Sequence, residues 1–462
     1  MGQSIQRVPE QWVSGVSRQF PYQLGSSTFF AVVIHPAKQR ALPKVPQLRN
    51  NHNKPITKLD ELFHVLHSHF DKATNIAYDA DFIRKATRSF PPFSLAELED
   101  AIKTCANSSA PGPSQLSWRL LKAFLRDDSF QQGFLRLANG CLFDSIWPAA
   151  FKASTTVIIP KPGKDSYTSA KNYRPIALLE TPGKLISKLI AKWLQSDNVL
   201  CDIAHPLQFG GLAHKSTTDS GLFLTETIVK ARNAGHFTSV LALDIAQCFP
   251  SLKHEVIFEI LKVEGFSPIL INFLCSYYSN CTTNYRWNNF FSKNYDINNG
   301  VPQGNPLSPV ISTLYNSAIT RLLFPFDSTL RFNCSSYIDD FILVVMSPSL
   351  SSNVDKLEDG YRALAKAFHK LGLAVKPSKT ELMHFAAKNL ATKRGQKPLQ
   401  FPIPFASLPS VKLHPLAKNE PTFIIEPTKE WHYLGFFFDP FFSFSSHVSR
   451  YTNKALTTVN NL

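Results

Sequence analysis

Tyr337-Ile338-Asp339-Asp340 decides the reading of this chain, because it sets two adjacent carboxylates at the tip of a tight apolar hairpin. Arg331-Phe332-Asn333-Cys334-Ser335-Ser336-Tyr337 leads in and Phe341-Ile342-Leu343-Val344-Val345-Met346 leads out, runs whose β-branched and aromatic residues suit paired strands. Both acids are therefore expected outside the core. A third carboxylate, Asp244, ends the earlier apolar run Val240-Leu241-Ala242-Leu243. Three carboxylates within about 4 Å of one another repel by roughly 4 kcal/mol per pair at an effective dielectric near 20. Such a cluster implies a bound cation, and magnesium holding phosphates is the expected occupant.

Upstream of the hairpin, Gly300-Val301-Pro302-Gln303-Gly304 reads as a loop that opens an apolar helix from Leu307 to Leu322. Thr282 to Trp287 and Phe290 to Ile297 alternate around Asn288-Asn289, a second hairpin signal. Helical spacing predicts segments from Leu59 to Phe70, Phe93 to Ile102 with Ser94 as N-cap, Trp118 to Leu125, Gly183 to Leu194, Lys253 to Val263 and Pro268 to Tyr278. Thr155 to Ile159 reads as a short strand closed by the basic turn Pro160-Lys161-Pro162-Gly163-Lys164. Downstream, a helix is expected from about Val354 to Leu371, ending at Gly372, and a strand from Tyr433 to Phe437. Residues 1–57 read as a basic, largely irregular extension, and 386–420, rich in Pro and Lys, as a basic surface insertion.

With 462 residues, 44% of them hydrophobic, the chain can bury a sizeable core divided into two or three subdomains. Its formal net charge of +15 favours a polyanionic partner. Eight Lys/Arg against one Glu fall in residues 1–58, and eight against three acids in 151–200. Nucleic acid suits this distribution better than a membrane, since neither an amphipathic basic helix nor a long apolar span accompanies the charge. The seven cysteines form no Cys-x-x-Cys pair and no zinc spacing, which fits a reduced, intracellular protein without a targeting signal.

Taken singly, Asp244 reads equally well as the N-cap of the next helix, and Asp339-Asp340 as an ordinary turn. Their order is more specific. An acid ending a strand, then Pro302-Gln303-Gly304-Asn305-Pro306-Leu307-Ser308-Pro309, then Tyr-x-Asp-Asp, resembles the catalytic palm of reverse transcriptases. Ala110-Pro111-Gly112-Pro113, Trp147, Ile159 to Lys164 and Asn172-Tyr173-Arg174-Pro175-Ile176 look like the fingers of non-LTR (LINE-like) retrotransposon reverse transcriptases. Leu371-Gly372-Leu373, Lys379-Thr380-Glu381, Tyr433-Leu434-Gly435 and Asp439 match that family's late palm and primer grip. Ser114-Gln115 stands where the family often has Asp-Gly, and Gln208-Phe209-Gly210-Gly211 to Thr217 departs from its usual basic turn, differences that bear on the fingers and leave the carboxylates intact.

The resemblance implies an α+β right-hand polymerase fold with an antiparallel palm sheet. Helical N-terminal region and fingers would span 58–235, the palm 236–442, and a truncated thumb 443–462. It implies an RNA-directed DNA polymerase using two Mg2+ ions, an RNA template, a DNA primer and dNTPs, in the nucleus and without a membrane; the oligomeric state is left open. Asp244, Asp339 and Asp340 would be catalytic and, with Ile245, form the metal set. Phe249 would exclude a 2′-hydroxyl, with core packing as the alternative. Arg174, Lys161, Gln303 and Gly304 would contact nucleotide, Lys161 being equally readable as a solvated turn lysine. Lys379 would protonate pyrophosphate or else be a surface lysine beginning a strand. A second reading is a catalytically silent, nucleic-acid-binding remnant of a mobile element. RNA-directed RNA synthesis is disfavoured by Phe249 and by Tyr-x-Asp-Asp in place of Gly-Asp-Asp.

Overall fold

Serine caps mark four helix starts in the computed structural model, which describes residues 48–50, 53–56, 58–70, 88–164, 166–196, 203–287, 290–323, 332–385, 387–390, 399–416 and 421–460. In chain order, helices α1 (Leu59–Phe70), α2 (Leu95–Lys103), α3 (Trp118–Phe124) and α4 (Asp128–Phe143) precede strands β1 (Ala153–Pro160) and β2 (Tyr173–Leu178). Helices α5 (Thr181–Leu194) and α6 (Thr217–Asn233) lead to β3 (Phe237–Asp244). Short α7 (Cys248–Ser251), then α8 (His254–Val263) and α9 (Pro268–Tyr278), separate it from β4 (Cys281–Trp287), β5 (Phe290–Phe291) and β6 (Tyr295–Ile297). Helix α10 (Leu307–Leu323) precedes the hairpin of β7 (Asn333–Tyr337) and β8 (Asp340–Ser347), and α11 (Leu350–Lys370) leads to β9 (Glu381–Phe385). Three hairpins, β10 (Ala387–Leu390) with β11 (Leu399–Pro402), β12 (Val411–Leu413) with β13 (Phe423–Ile425), and β14 (Trp431–Tyr433) with β15 (Phe436–Phe438), come before α12 (Ser445–Asn460).

The described residues form two units, the first drawn from 1–69, 91–186 and 272–298, the second from 70–90, 187–271 and 299–462. In the first, β1 pairs antiparallel with β2 and parallel with β4, giving the order β2-β1-β4-β5 with β6 also on β4. In the second, all neighbours in the sheet β7-β8-β3-β9 run antiparallel. Side chains alternate between its faces. Val240, Ile342 and Val344 pack with Leu224 and Ile228 of α6 and with Trp431, Tyr433 and Phe438 of the last hairpin. On the opposite face, Phe341 meets Phe368 edge-on and Leu343 lies against Gly360, both partners being on α11. Among the described residues no helix is long and apolar enough to cross a membrane.

Ser94 caps α2 with a reciprocal bond to Glu97, as the sequence predicts. Helix α11 starts a turn earlier than expected, because Ser349 accepts from the Ser352 N–H, Leu350 extends the apolar stripe, and the buried Asn353 amide donates to the Phe237 carbonyl and Ser239 Oγ. The single strand expected from Tyr433 to Phe437 is instead a hairpin. Leu434 and Gly435 both take positive φ, 48° and 95°, which reverses the chain between two short aromatic strands. The 386–420 segment is also not wholly superficial: Val411 and Leu413 are fully buried, and Leu408 packs on Phe237 and Leu350. Of the basic extension, residues 1–47 lie outside the described residues; beyond them Leu48 and Ile56 are buried and Arg49 bridges to Pro55. Asn288-Asn289 and Arg331 also lie outside.

His384 ties the far end of the second sheet to this segment. Its Nδ1 accepts from the Ser239 hydroxyl at 2.6 Å and its Nε2–H donates to the Pro409 carbonyl at 2.9 Å. Burial, only partly offset by the Pro409 bond, lowers its pKa from 6.5 to about 4. A depressed folded-state pKa contributes stability that is complete above pH 6.5 and is lost as pH falls toward 4, roughly 3 kcal/mol in all. The stability difference between the wild type and His384→Gln, measured by urea unfolding, is accordingly expected to shrink steadily from pH 6.5 to 4. A pH-independent difference would refute the assignment.

Candidate active site

Register alone brings two of the acids together. Strands β3 and β8 pair so that Asp244 lies directly opposite Asp340, while Tyr337 lies opposite Asp340 on its other side. Asp339 occupies the two-residue turn between β7 and β8. Asp340 is exposed and Asp339 partly so, as expected for acids at a sheet end. The Asp340 carboxyl is nonetheless pushed up from 3.8 to about 7, first by loss of water where the surrounding protein crowds it, then by the charges of Asp339 and Asp244. Lys379 opposes the shift and Glu381 adds a little to it.

Lys379 reaches this group because residues 374–376, just before it, are zipped onto the end of β3. The Ala246 N–H donates to the Ala374 carbonyl at 2.8 Å and the Lys376 N–H to the Asp244 carbonyl at 2.9 Å, with Ile245 bridging to Val375 between them. The Lys379 ammonium then lies 2.6 Å from Asp244 Oδ2, a half-exposed pair worth about 0–1 kcal/mol by itself. Ile245 buries its side chain, leaving only its main-chain carbonyl for a ligand. Cys248, next along, is fully buried, and its thiol is pushed up by that burial and then by the Asp339 charge, which makes it inert.

Phe249 sits half-buried in α7, and its position is fixed by the loop carrying Gln303. The Val301 N–H donates to the Phe249 carbonyl at 2.9 Å and the Gly300 N–H to the Leu252 carbonyl at 3.0 Å. Gly300, at φ 79°, passes so close that a Cβ would come within 2.7 Å of Pro250 Cα. Asn305 braces the loop, its Oδ1 accepting from the Leu307 N–H at 2.7 Å and its Nδ2 donating to Ser187 Oγ at 3.2 Å. Gln303 is half-buried, and Gly304, at φ 122°, is exposed.

Arg174 and Lys161 belong to the first unit, at one end of its β1–β2 pair. Arg174 is exposed opposite Ile159. Lys161 donates from Nζ to the Lys171 carbonyl at 2.7 Å and from its N–H to the Asn172 carbonyl at 2.8 Å, so its ammonium already serves the turn. The structure thus groups Arg174 with Lys161 in one unit, and the three acids, Ile245, Lys379, Phe249 and the Gln303-Gly304 loop in the other.

Sequence reasoning missed what holds the acidic turn. Ile338 adopts φ 55°, a left-handed conformation that costs a β-branched residue about 1–3 kcal/mol. Asn316 Nδ2 on α10 donates to the Ile338 carbonyl. Residues 207–209 pair with Ser336 on the outer edge of β7, which carries Gly210 against Ile338. The visible signal was the Gln208-Phe209-Gly210-Gly211 string, read from the sequence only as a departure from the family's basic turn that bears on the fingers.

Among the described residues, no three His, Cys, Asp or Glu side chains stand in a ready coordination cluster. The donor set nevertheless suits a hard divalent cation: it offers oxygen ligands alone, three carboxylates and the Ile245 carbonyl, and the charges of Asp339 and Asp244 add to the burial that raises the Asp340 pKa.

The family described as "Reverse transcriptase (RNA-dependent DNA polymerase)" matches residues 159–438. The "Transposon TX1 uncharacterized 149 kDa protein" of Xenopus laevis is 25% identical over 62% of this chain and 22% of its own length. The "Probable RNA-directed DNA polymerase from transposon BS" of Drosophila melanogaster is 25% identical over 86% of this chain and 42% of its own. The chain therefore spans less than half the length of these relatives. A solved apo telomerase from Candida tropicalis, truncated from its C-terminal domain, aligns at 13% identity and TM-score 0.39 over 64% of this chain and 55% of that one.

Proposed function

Since the chain belongs to the reverse transcriptase (RNA-dependent DNA polymerase) family, we propose that it copies RNA into DNA for a LINE-like mobile element, with the acids Asp244, Asp339 and Asp340 as its reaction centre. The observation that carries this reading is the opposition of Asp244 and Asp340 across β3 and β8, with Asp339 in the adjoining turn. In this reading the second unit's four-stranded sheet is the palm, β1 and β2 with their basic turn belong to the fingers, and α12 begins the thumb. Template RNA, primer DNA and dNTPs are the partners, and the nucleus is the site of action.

Asp244 and Asp339 would hold two magnesium ions, with Asp340 and the Ile245 carbonyl in support. When bound, such ions supply Lewis-acid charge that polarises an attacking hydroxyl and steadies a triphosphate. In the reaction, the primer 3′-hydroxyl oxygen loses its proton to water and bonds to the α-phosphorus of a dNTP as the bond to the pyrophosphate oxygen breaks. The Lys379 ammonium, half-exposed and paired with Asp244, can give a proton to departing pyrophosphate. Arg174 offers a planar guanidinium for phosphate oxygens. Lys161 is a secondary phosphate contact at most, given its bond to the Lys171 carbonyl. Gln303 lies against nucleotide and template, and Gly304 lets main chain approach them closely.

Primer extension on a homopolymer RNA template, with dNTPs or rNTPs and Mg2+, tests the assignment. Incorporation of dNTPs alone is expected. Salt-dependent RNA binding with no incorporation would replace it with the silent-remnant reading.

Phe249 sets sugar selectivity in this scheme, because an aromatic ring fixed beside the nucleotide leaves no room for a 2′-hydroxyl. Phe249→Ala is expected to raise the rNTP/dNTP incorporation ratio by about 10²-fold, the scale on which a shaped apolar pocket discriminates. An unchanged ratio returns Phe249 to core packing.

A further inference from the structure

Ile338 is the first of two residues joining the paired Tyr337 and Asp340, and its φ of 55° is opposed by its own Cβ. The neighbouring Asp339 does not share the positive φ, the pattern of a type II′ turn, which ordinarily takes glycine at this first position. Something outside the turn must hold the isoleucine there. Gly210 supplies a flat wall: its missing Cβ would stand 2.5 Å from the Ile338 nitrogen. Asn316, only 1% exposed in the middle of α10, supplies the hydrogen bond to the Ile338 carbonyl.

We propose that Asn316 is a positioning residue for DNA synthesis: its side-chain amide fixes the Ile338 peptide in the turn that presents Asp339. The inference rests on the polymerase reading above for its reaction, and on the geometry of the turn for its substance. The surroundings make Asn316 a rigid support. Gln208, itself buried, donates from Nε2 to the Thr313 carbonyl at 2.7 Å and accepts from Ser317 Oγ at 2.9 Å, which ties the edge of β7 to the same helix. Thr313 Oγ1 lies 3.0 Å from the Gly210 carbonyl, to which it donates. Asn316 Oδ1, by contrast, is buried without a hydrogen-bond partner. A position that served packing alone would favour an apolar side chain and avoid that orphaned oxygen. The polar group is explained by what its other end donates to.

The test is a double-mutant cycle between Asn316→Leu, which removes the donor while keeping bulk, and Ile338→Gly, which makes the left-handed turn comfortable without help. In the Ile338 background, Asn316→Leu is expected to lower kcat by about 10²-fold, the cost of a misplaced reacting group. KM for dNTP should stay nearly constant, since a group acting at the transition state is what is disturbed. Mn2+ affinity without nucleotide, read by water proton relaxation, should weaken in parallel. In the Ile338→Gly background both effects should largely vanish. Equal losses in the two backgrounds, or Mn2+ binding indifferent to Asn316→Leu, overturn the proposal. Asn316→Ala replaces Asn316→Leu if the latter fails to fold. Should the wild type extend no primer while Mn2+ binding follows the cycle, the polymerase reading falls and the positioning role stands.

Discussion

Asp339→Ala is expected to abolish magnesium-dependent primer extension, a fall of about 10³-fold or more, with no loss of fold. The rate loss follows from removing a carboxylate from the reaction centre, where preorganised charge commonly supplies factors of this size. The stability expectation follows from the same charges. Asp339 is one of the groups that hold the Asp340 carboxyl up at about 7, so its removal relieves repulsion and lets Asp340 relax toward the ordinary carboxylate range. Thermal unfolding should therefore occur at the wild-type temperature or slightly above it. Asp244→Asn should lose activity equally while also releasing Lys379, whose ammonium sits 2.6 Å from Asp244 Oδ2. Wild-type rates in Asp339→Ala would remove the reaction centre from these residues altogether.

Gly210→Ala is expected to cost about 10²-fold in the rate of a single turnover although it alters no chemical group. The added Cβ would meet the Ile338 nitrogen at 2.5 Å and the Tyr337 carbonyl carbon at 2.9 Å, both main-chain atoms that cannot swing aside. Either residues 207–210 or the acidic turn must then move, and displacements near 1 Å at a reacting group carry losses of that order. Overpacking should add about 1–3 kcal/mol of destabilisation, readable in urea unfolding. Gly133→Ala is the control, since its Cβ would find only the Arg136 guanidinium at 4.0 Å. Within helix α4, that change should be neutral or stabilising by up to about 1 kcal/mol. If the two alanines behave alike, the close approach at Gly210 has no bearing on the turn.

Much of the fold was legible because burial imposes a period. Helices α1 and α9 have the bounds that their apolar spacing predicts, and Asp244 ends a strand as the run before it suggests. Local pattern failed where geometry depends on partners distant in sequence. Nothing near Ala153 announces that β1 pairs parallel with β4. The aromatic run from Tyr433 to Phe438 hides a reversal at Leu434-Gly435, because a hairpin buried on its inner face needs no polar turn. The site divides the same way. Its acids were readable from order and residue type, and Lys379 from family resemblance. The zipper that delivers Lys379 to Asp244 was not readable, being made by main-chain bonds between residues 244–246 and 374–376. Ile338 gave no warning of its conformation, since left-handed turns are signalled by Gly or Asn. Asn316, in a helix read as apolar, gave none of its contact.

The parallel pairing of β1 with β4 also governs how this polypeptide emerges from the ribosome. Residues 153–157 pair with 282–286, so the inner edge of β1 waits for more than a hundred further residues to be synthesised. At typical elongation rates the wait lasts roughly ten seconds. Throughout it the nascent chain displays an unpaired strand edge, with β2 guarding only the other side. Translation pauses between residues 157 and 287 should therefore lower the soluble yield, and pauses before residue 153 should not.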